Sequence, residues 1–281
     1  MGDSACPACG GERTDRVLDV GDWKYASCGA CGSGWLDPMP SDPIGYYGAG
    51  YFRGAVNDGY LDYGADADLH RRNAVDRIEL LEERRSADPE RIVDVGCAYG
   101  FFLEVASLHG WEAIGVEVSD HARAEAEGRG FRVFSELGDV NDAVGVVTFY
   151  QVLEHTLDPL AQLQAAYALL NPGGIVVIES WNSASLVARA LGRRWHQVSP
   201  PTVTHLFTSQ GLETLLERAG FEPGPVVRSS KRVSAGAVAG LLTGKSRVAA
   251  TVLKPAVRPP ISRWVLSYRL GDLVTVAARK S

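Results

Sequence analysis

The run Ile92-Val93-Asp94-Val95-Gly96-Cys97-Ala98-Tyr99-Gly100 decides the fold. A short apolar strand signal closes on an acid and a valine, and Gly96 and Gly100 then let the backbone turn sharply against a bound molecule. A helical pattern follows over residues 101–108. The spacing is not the dinucleotide fingerprint: G-x-G-x-x-G needs glycine at 96, 98 and 101, where the chain carries Gly96, Ala98 and Phe101.

Downstream, strand and helix signals alternate. Strands are expected at 111–116, 131–134, 144–149 and 175–179, with helices at 121–129 and 157–170, the last stopped by Pro172-Gly173-Gly174. That alternation predicts βαβ units in a parallel, doubly wound sheet, with ligands at the carboxyl ends of its strands. Glu117 closes the second strand, where an acid can accept both hydroxyl hydrogens of a ribose. Upstream, Leu69, Ala74, Ile78 and Leu81 recur at helical spacing over 66–85, ahead of Pro89. Residues 36–63 combine Pro38, Pro40 and Pro43 with Tyr46, Tyr47, Tyr51, Phe52, Tyr60 and Tyr63. So many rings predict a segment draped over the main domain and closing a pocket, or else packed between two modules.

At the amino terminus, Cys6-x2-Cys9 and Cys28-x2-Cys31 bring four thiols within reach of one tetrahedral ion, the geometry of a closed structural zinc site. Gly10 and Gly32 suit the tight turn after the second sulfur of each pair. Val17, Leu18, Val20, Trp23 and Tyr25 alternate like a short hairpin, completing a zinc ribbon over residues 1–36. The alternative is a disulfide framework, which the otherwise cysteine-poor chain and the missing secretion signal in residues 1–16 disfavour.

The chain has 281 residues, net charge −6, 46% hydrophobic and 22% charged residues, an ordinary globular balance with no global positive field for phosphate polymers. Nucleic acid is not expected as a partner. The apolar stretch at 233–242 is too short to span a bilayer, so no membrane partner is expected and the chain reads as cytoplasmic. Monomer and homodimer both remain open.

Asp94-x-Gly96-x-Ala98-x-Gly100 is similar to motif I of the class I S-adenosylmethionine-dependent methyltransferases, with Ala98 where the family usually has a third glycine. Tyr150-Gln151-Val152-Leu153-Glu154-His155 with Asp158-Pro159 resembles the V-L-E-H-x-x-D-P run of its small-molecule members, and Asn171-Pro172-Gly173-Gly174 their L-x-P-G-G turn. Residues 271–280 resemble the family's final strand, which returns antiparallel between the fifth and sixth. The resemblance implies a Rossmann-like seven-stranded α/β sheet over residues 66–281, holding S-adenosylmethionine near Asp94, Gly96, Ala98, Gly100, Glu117 and Gln151. A connector or lid over 37–65 and a helical insertion over 233–266 complete the expected organisation. Tyr51 is a candidate for the sulfonium through cation–π attraction.

The ribbon, the Tyr-rich connector and the core together resemble the zinc-containing sugar and natural-product methyltransferases. Sugar C-methyltransferases carry Tyr-x-Glu-His before a Phe-Ser helix start; here Val203-Thr204-His205-Leu206-Phe207-Thr208 keeps the histidine and replaces the glutamate. That favours methylation of a hydroxyl on a sugar, nucleotide sugar or natural product, with His205 as leading base and His155 as second candidate. Trp181, Asn182, Trp195 and His196 are expected on the acceptor side, the tryptophans as stacking faces. Deoxysugar C-methylation, RNA methylation through the ribbon, and a non-catalytic cofactor-binding scaffold are the alternatives.

Overall fold

The computed structural model describes residues 5–42, 44–53, 62–82, 91–236 and 264–281. Three amino-terminal strands, β1 (Arg13–Val20), β2 (Trp23–Cys28) and β3 (Gly34–Leu36), form an antiparallel meander. Two helices follow, α1 (Ala49–Phe52) and α2 (Ala67–Glu82), the latter burying Ala74, Ile78 and Leu81 on one stripe.

The core runs β4 (Arg91–Val95), α3 (Phe101–Leu108), β5 (Glu112–Val116), α4 (Asp120–Gly128), β6 (Arg132–Phe134), β7 (Val144–Tyr150), α5 (Pro159–Leu169) and β8 (Leu170–Trp181). Short side chains close the helix starts: Ser119 accepts the Ala122 N–H and Asp158 the Ala161 N–H. Asp158 as cap, with Pro159 in the first turn, is why α5 begins two residues after the expected start at 157. After α6 (Leu186–Leu191) come β9 (His205–Leu206), α7 (Ser209–Arg218), β10 (Phe221–Pro223), β11 (Val227–Arg228), β12 (Lys231–Ser234), β13 (Val265–Tyr268) and β14 (Leu273–Lys280).

The main sheet has the order β10-β14-β8-β7-β4-β5-β6. Strands β6, β5, β4, β7 and β8 pair in parallel, and β14 lies antiparallel between β8 and β10. This is the doubly wound sheet with a reversed last strand that the sequence predicts. The central strands are buried on both faces, with Val93, Val147 and Val176 fully enclosed, as parallel strands between helical layers must be. At the far edge β10 and β11 both pair with β14.

The ribbon is joined to the core: β9 adds a fourth strand to its sheet, Trp35 opposite His205. At the ends of the expected helical insertion the chain is extended: β12 and β13 pair with each other, and Arg232 fixes β12 to Asn73 on α2 through two 3.0 Å hydrogen bonds. Residues 237–263, on which the helical expectation rests, lie outside the described residues. Among the described residues no helix is long and apolar enough to cross a membrane.

Candidate active site

The loop after β4 is held in a conformation that its residue types explain. Gly96 and Gly100 have φ of +73° and +78°. A Cβ at Gly96 would lie 2.5 Å from Val152 Cγ2, so glycine is required there on both counts. Ala98, the departure from the glycine pattern, itself adopts φ +48°, at a cost of about 1–2 kcal/mol. The carboxylate of Glu117 offsets it: Oε2 accepts the Ala98 N–H and Oε1 the Ser119 N–H, each at 2.9 Å. Burial raises the pKa of Glu117, and those two N–H donors oppose the rise. Glu117 therefore braces the loop as well as ending β5. Asp94 is buried under the loop, accepts the Thr148 hydroxyl at 2.6 Å, and is pushed up to about 7 by burial.

Aromatic rings from the connector cover this loop. Phe52 stacks on Tyr99 at 5.3 Å, Tyr63 meets the same ring edge-on at 5.0 Å, and Tyr51 packs between Tyr47 and Phe52. The described part of the connector is thus draped over the motif I turn, with Tyr51 in the roof.

At the end of β7, Gln151 takes φ +61°, unusual for a non-glycine residue. Its strain is held from three sides. The Gln151 N–H donates to the Glu179 carbonyl at 2.7 Å, Nε2 donates to Glu179 Oε1 at 2.8 Å, and Oε1 accepts from Lys231 Nζ at 2.5 Å. Glu179 also pairs with Arg77 of α2. Burial alone would raise the Glu179 pKa, but Arg77, Gln151 and Lys231 together bring it below the usual value. Sequence reading missed Arg77, Glu179 and Lys231. Only Arg77 left a signal, a cation on the stripe of Ala74, Ile78 and Leu81 that a helix reserves for its core.

The two candidate histidines part company. His155 places Nδ1 2.7 Å from the Thr202 carbonyl, so Nδ1 carries the proton and the neutral ring presents Nε2 as acceptor. Tyr47 OH donates to the same carbonyl at 3.0 Å. His205 sits in β9 against the ribbon, 2% exposed, stacked on Phe207 with Nδ1 on Thr204 Oγ1 at 2.9 Å. Burial drives it down to about 3. The structure thus places His205 in the seam between ribbon and core, and His155 in the turn after Gln151.

Acceptor-side expectations divide too. Trp181 is buried, with its face toward Lys231 Nζ at 5.1 Å and its ring edge-on to His196 at 4.3 Å. Trp195, 2% exposed, is core between ribbon and sheet rather than an open stacking face. Asn182 serves the turn leaving β8: Oδ1 accepts the Ala184 N–H, and its own N–H donates to Asp272.

The four ribbon sulfurs lie within 4.8 Å of one another, with Cys9–Cys28 at 3.4 Å and Cys6–Cys31 at 3.8 Å. A tetrahedral zinc with bonds near 2.3 Å has sulfur–sulfur edges of about 3.8 Å, so the cluster fits one such ion. Gly10 and Gly32 make the expected turns at φ +73° and +74°. All four cysteines are free, with no two sulfurs at bonding distance. Arg218 of α7 fastens the first pair to the core, donating to the Pro7 and Ala8 carbonyls at 2.8 Å.

A Rossmann-like sheet with reversed last strand, a glycine-lined turn after its first strand and an acid ending the second together define the class I methyltransferase architecture. The Methyltransferase domain family matches residues 65–224, more than half of the chain, and the chain belongs to that family, the S-adenosylmethionine-dependent methyltransferases. Among similar proteins, the ubiquinone biosynthesis O-methyltransferase of Dinoroseobacter shibae is 29% identical over 228 residues, 75% of this chain and 86% of that protein. Its counterpart from Cereibacter sphaeroides is 26% identical over 200 residues, 61% of this chain and 81% of that protein. The chain spans less of others, 64% of the Ruegeria pomeroyi protein. The magnesium protoporphyrin IX methyltransferase of Synechocystis shares the fold, with TM-score 0.52 and 13% identity over 85% of this chain and 97% of that one.

Proposed function

We propose that the protein methylates a hydroxyl oxygen of a small-molecule acceptor, with His155 taking the hydroxyl proton. The observation that carries this is the Thr202 carbonyl on His155 Nδ1, which leaves Nε2 as the ring's acceptor in the loop directly after Gln151. When bound, S-adenosylmethionine supplies an activated methyl for in-line displacement, so the protein chiefly aligns the partners and excludes water. His155 Nε2 accepts the proton as the acceptor oxygen bonds to the methyl carbon and the carbon–sulfur bond breaks. Burial lowers the His155 pKa and keeps the ring neutral at pH 7. Gly96, Ala98, Gly100 and Glu117 would hold the nucleoside, and the connector rings, Tyr51 among them, would close over it.

Relatives named for O-methylation support oxygen over carbon. So does Thr204, whose hydroxyl lies 2.9 and 2.8 Å from the Glu154 and Thr156 carbonyls and brings no acid to the place where C-methyltransferases have glutamate. The relatives' name adds a quinone-pathway ring to the sugars and natural products read from the sequence. We read residues 1–36 as a structural zinc ribbon, 37–65 as a lid and 66–281 as the transferase. The test is S-adenosylhomocysteine release over a panel of hydroxylated rings and nucleotide sugars, repeated with His155→Ala. A loss of about 10²–10⁴-fold is expected; full turnover with an unchanged pH profile would defeat the assignment.

A further inference from the structure

Two stretches of this acidic chain carry no acid at all. Residues 180–212 hold three arginines and residues 223–271 hold nine lysines and arginines, with no aspartate or glutamate in either. The rest of the chain therefore sets sixteen basic residues against all thirty-four acidic ones. Five of the nine fall within 237–263, outside the described residues. The fold brings the described parts of both stretches to one end of the main sheet. Strand β8 ends at Trp181 opposite Leu273, the first residue of β14, and the Asn182 N–H donates to the Asp272 carbonyl at 2.8 Å. One stretch leaves β8 there into α6, and the other arrives there from β13. Ala188 of α6 and Tyr268 of β13 pack on the same apolar cluster as Trp181. Around that shared core both elements turn large apolar side chains to water. Leu186 is 79% exposed, Trp264 and Leu270 are each 62% exposed, and Leu191 and Leu266 are exposed as well. Arg189, Arg193 and Arg269 stand exposed among them.

Large apolar side chains gathered at one end of a molecule mark a surface that something covers, and here they are interspersed with cations and free of acids. We propose that this end docks on the surface of a membrane rich in anionic phospholipid. Trp264, Leu266, Leu270 and Leu186 would enter the headgroup layer, and Arg189, Arg193 and Arg269 would meet its phosphates. Tryptophan suits that layer, being apolar in its ring and polar at its N–H. Each arginine near an anionic surface strengthens attachment about fivefold. A nucleic acid would engage the same cations but leave the leucines in water. The expectation that no membrane is a partner rested on the lack of a spanning stretch, and docking at the surface needs none. Parallel sheets bind their ligands at the carboxyl ends of their strands, so docking brings the cleft to the lipid surface. The proposal does not depend on which atom is methylated or on which residue is the base.

The experiment uses the intact, zinc-loaded protein and reads co-sedimentation with vesicles, so no turnover is needed. One set is phosphatidylcholine alone and the other is roughly one-third phosphatidylglycerol. Partition onto the anionic vesicles is expected to exceed that onto the neutral ones by at least ~10-fold and to fall as salt is added. Arg189→Glu combined with Arg193→Glu should lower it by at least ~10-fold. Trp264→Ser combined with Leu270→Ser should lower it by about as much. In both variants S-adenosylhomocysteine affinity, measured by calorimetry, should stay within about threefold of wild type. Equal sedimentation with both vesicles, sedimentation with neither, or undiminished partition in the two double variants would each overturn the proposal. So would a single-stranded oligonucleotide that strips the protein from anionic vesicles at equal phosphate concentration, which would assign this face to nucleic acid. If the Trp264 and Leu270 variant loses S-adenosylhomocysteine binding through misfolding, Leu186→Ser on α6 is read in its place, with a loss of about threefold expected.

Discussion

The ribbon and the cleft are built on opposite plans. Four cysteines in two close pairs converge because each pair sits on a tight turn and the β1–β2 hairpin brings the pairs together, so their sulfurs lie within 4.8 Å. Arg77, Gln151, Glu179 and Lys231 converge because a helix, two strand ends and a returning strand pack together. One cluster is fixed by the local chain and the other by the whole fold. The two share a single segment. The Thr202 carbonyl holds His155, the Thr204 N–H donates to the Glu154 carbonyl at 2.8 Å, the Thr204 carbonyl accepts from Leu36, and Thr208 Oγ1 donates to the Cys31 carbonyl at 2.7 Å.

The largest expected effect separates the plans by removing the zinc we propose for the ribbon. Structural zinc contributes about 10–16 kcal/mol in small zinc modules, more than a ribbon this size can replace with its own core. Chelation, or Cys28→Ser, should abolish amide-exchange protection across β1, β2, β3 and β9 while β4, β7 and β8 stay protected. Methyl-donor affinity should change by less than about threefold. Loss of protection in β4 as well would show that ribbon and cleft unfold as one unit.

A smaller effect is expected at the hinge between them. Thr204 is fully buried, and its hydroxyl reaches two carbonyls of the 154–156 loop and His205 Nδ1. Thr204→Val strips that support at about 1–3 kcal/mol; the Glu154 carbonyl keeps the Thr204 N–H, while the Thr156 carbonyl loses the hydroxyl. We expect methyl-transfer kcat to fall about tenfold with donor affinity retained, and Thr204→Ser to restore it. A Ser variant as impaired as Val would assign the loss to packing, not to the hydroxyl.

Legibility in the sequence follows the same division. The strand–helix alternation, the motif I turn and the cysteine cluster were readable because short-range signals carry them: Gly96 and Gly100 at positive φ, and Cys-x2-Cys with Gly10 or Gly32 behind it; the place of the last strand came from the family resemblance. His155 was legible as a candidate but ranked second, because nothing local says that Thr202, 47 residues away, would fix its tautomer. His205 looked like the better base because a core histidine and a cleft histidine read alike until burial is known. Lys231 was invisible: its meaning depends on Gln151, 80 residues earlier, and on Trp181. The strands at the ends of the supposed helical insertion escaped because, among the described residues, β12 and β13 pair with each other, partners more than thirty residues apart in sequence at the outer ends.

The smallest effect tests the reassignment of His205 from base to core. A histidine held near 3 in the folded protein and near 6.5 in the unfolded chain binds its proton only after unfolding over the intervening range. Its neutral burial is therefore compatible with full stability above about pH 6.5, and stability is lost as pH falls toward 3, by roughly 1 kcal/mol for each pH unit. His205→Gln removes one such proton. His155 and His70 are depressed by burial in the same direction, so the variant should lose a share of the acid sensitivity, not all of it. The measurement is the unfolding free energy from urea titration at pH 7 and pH 5.5. The gap between the two should narrow in His205→Gln by about 1 kcal/mol. An unchanged gap, together with a methyl-transfer rate that collapses in the same variant, would return the ring to the cleft and undo the contrast between the two histidines.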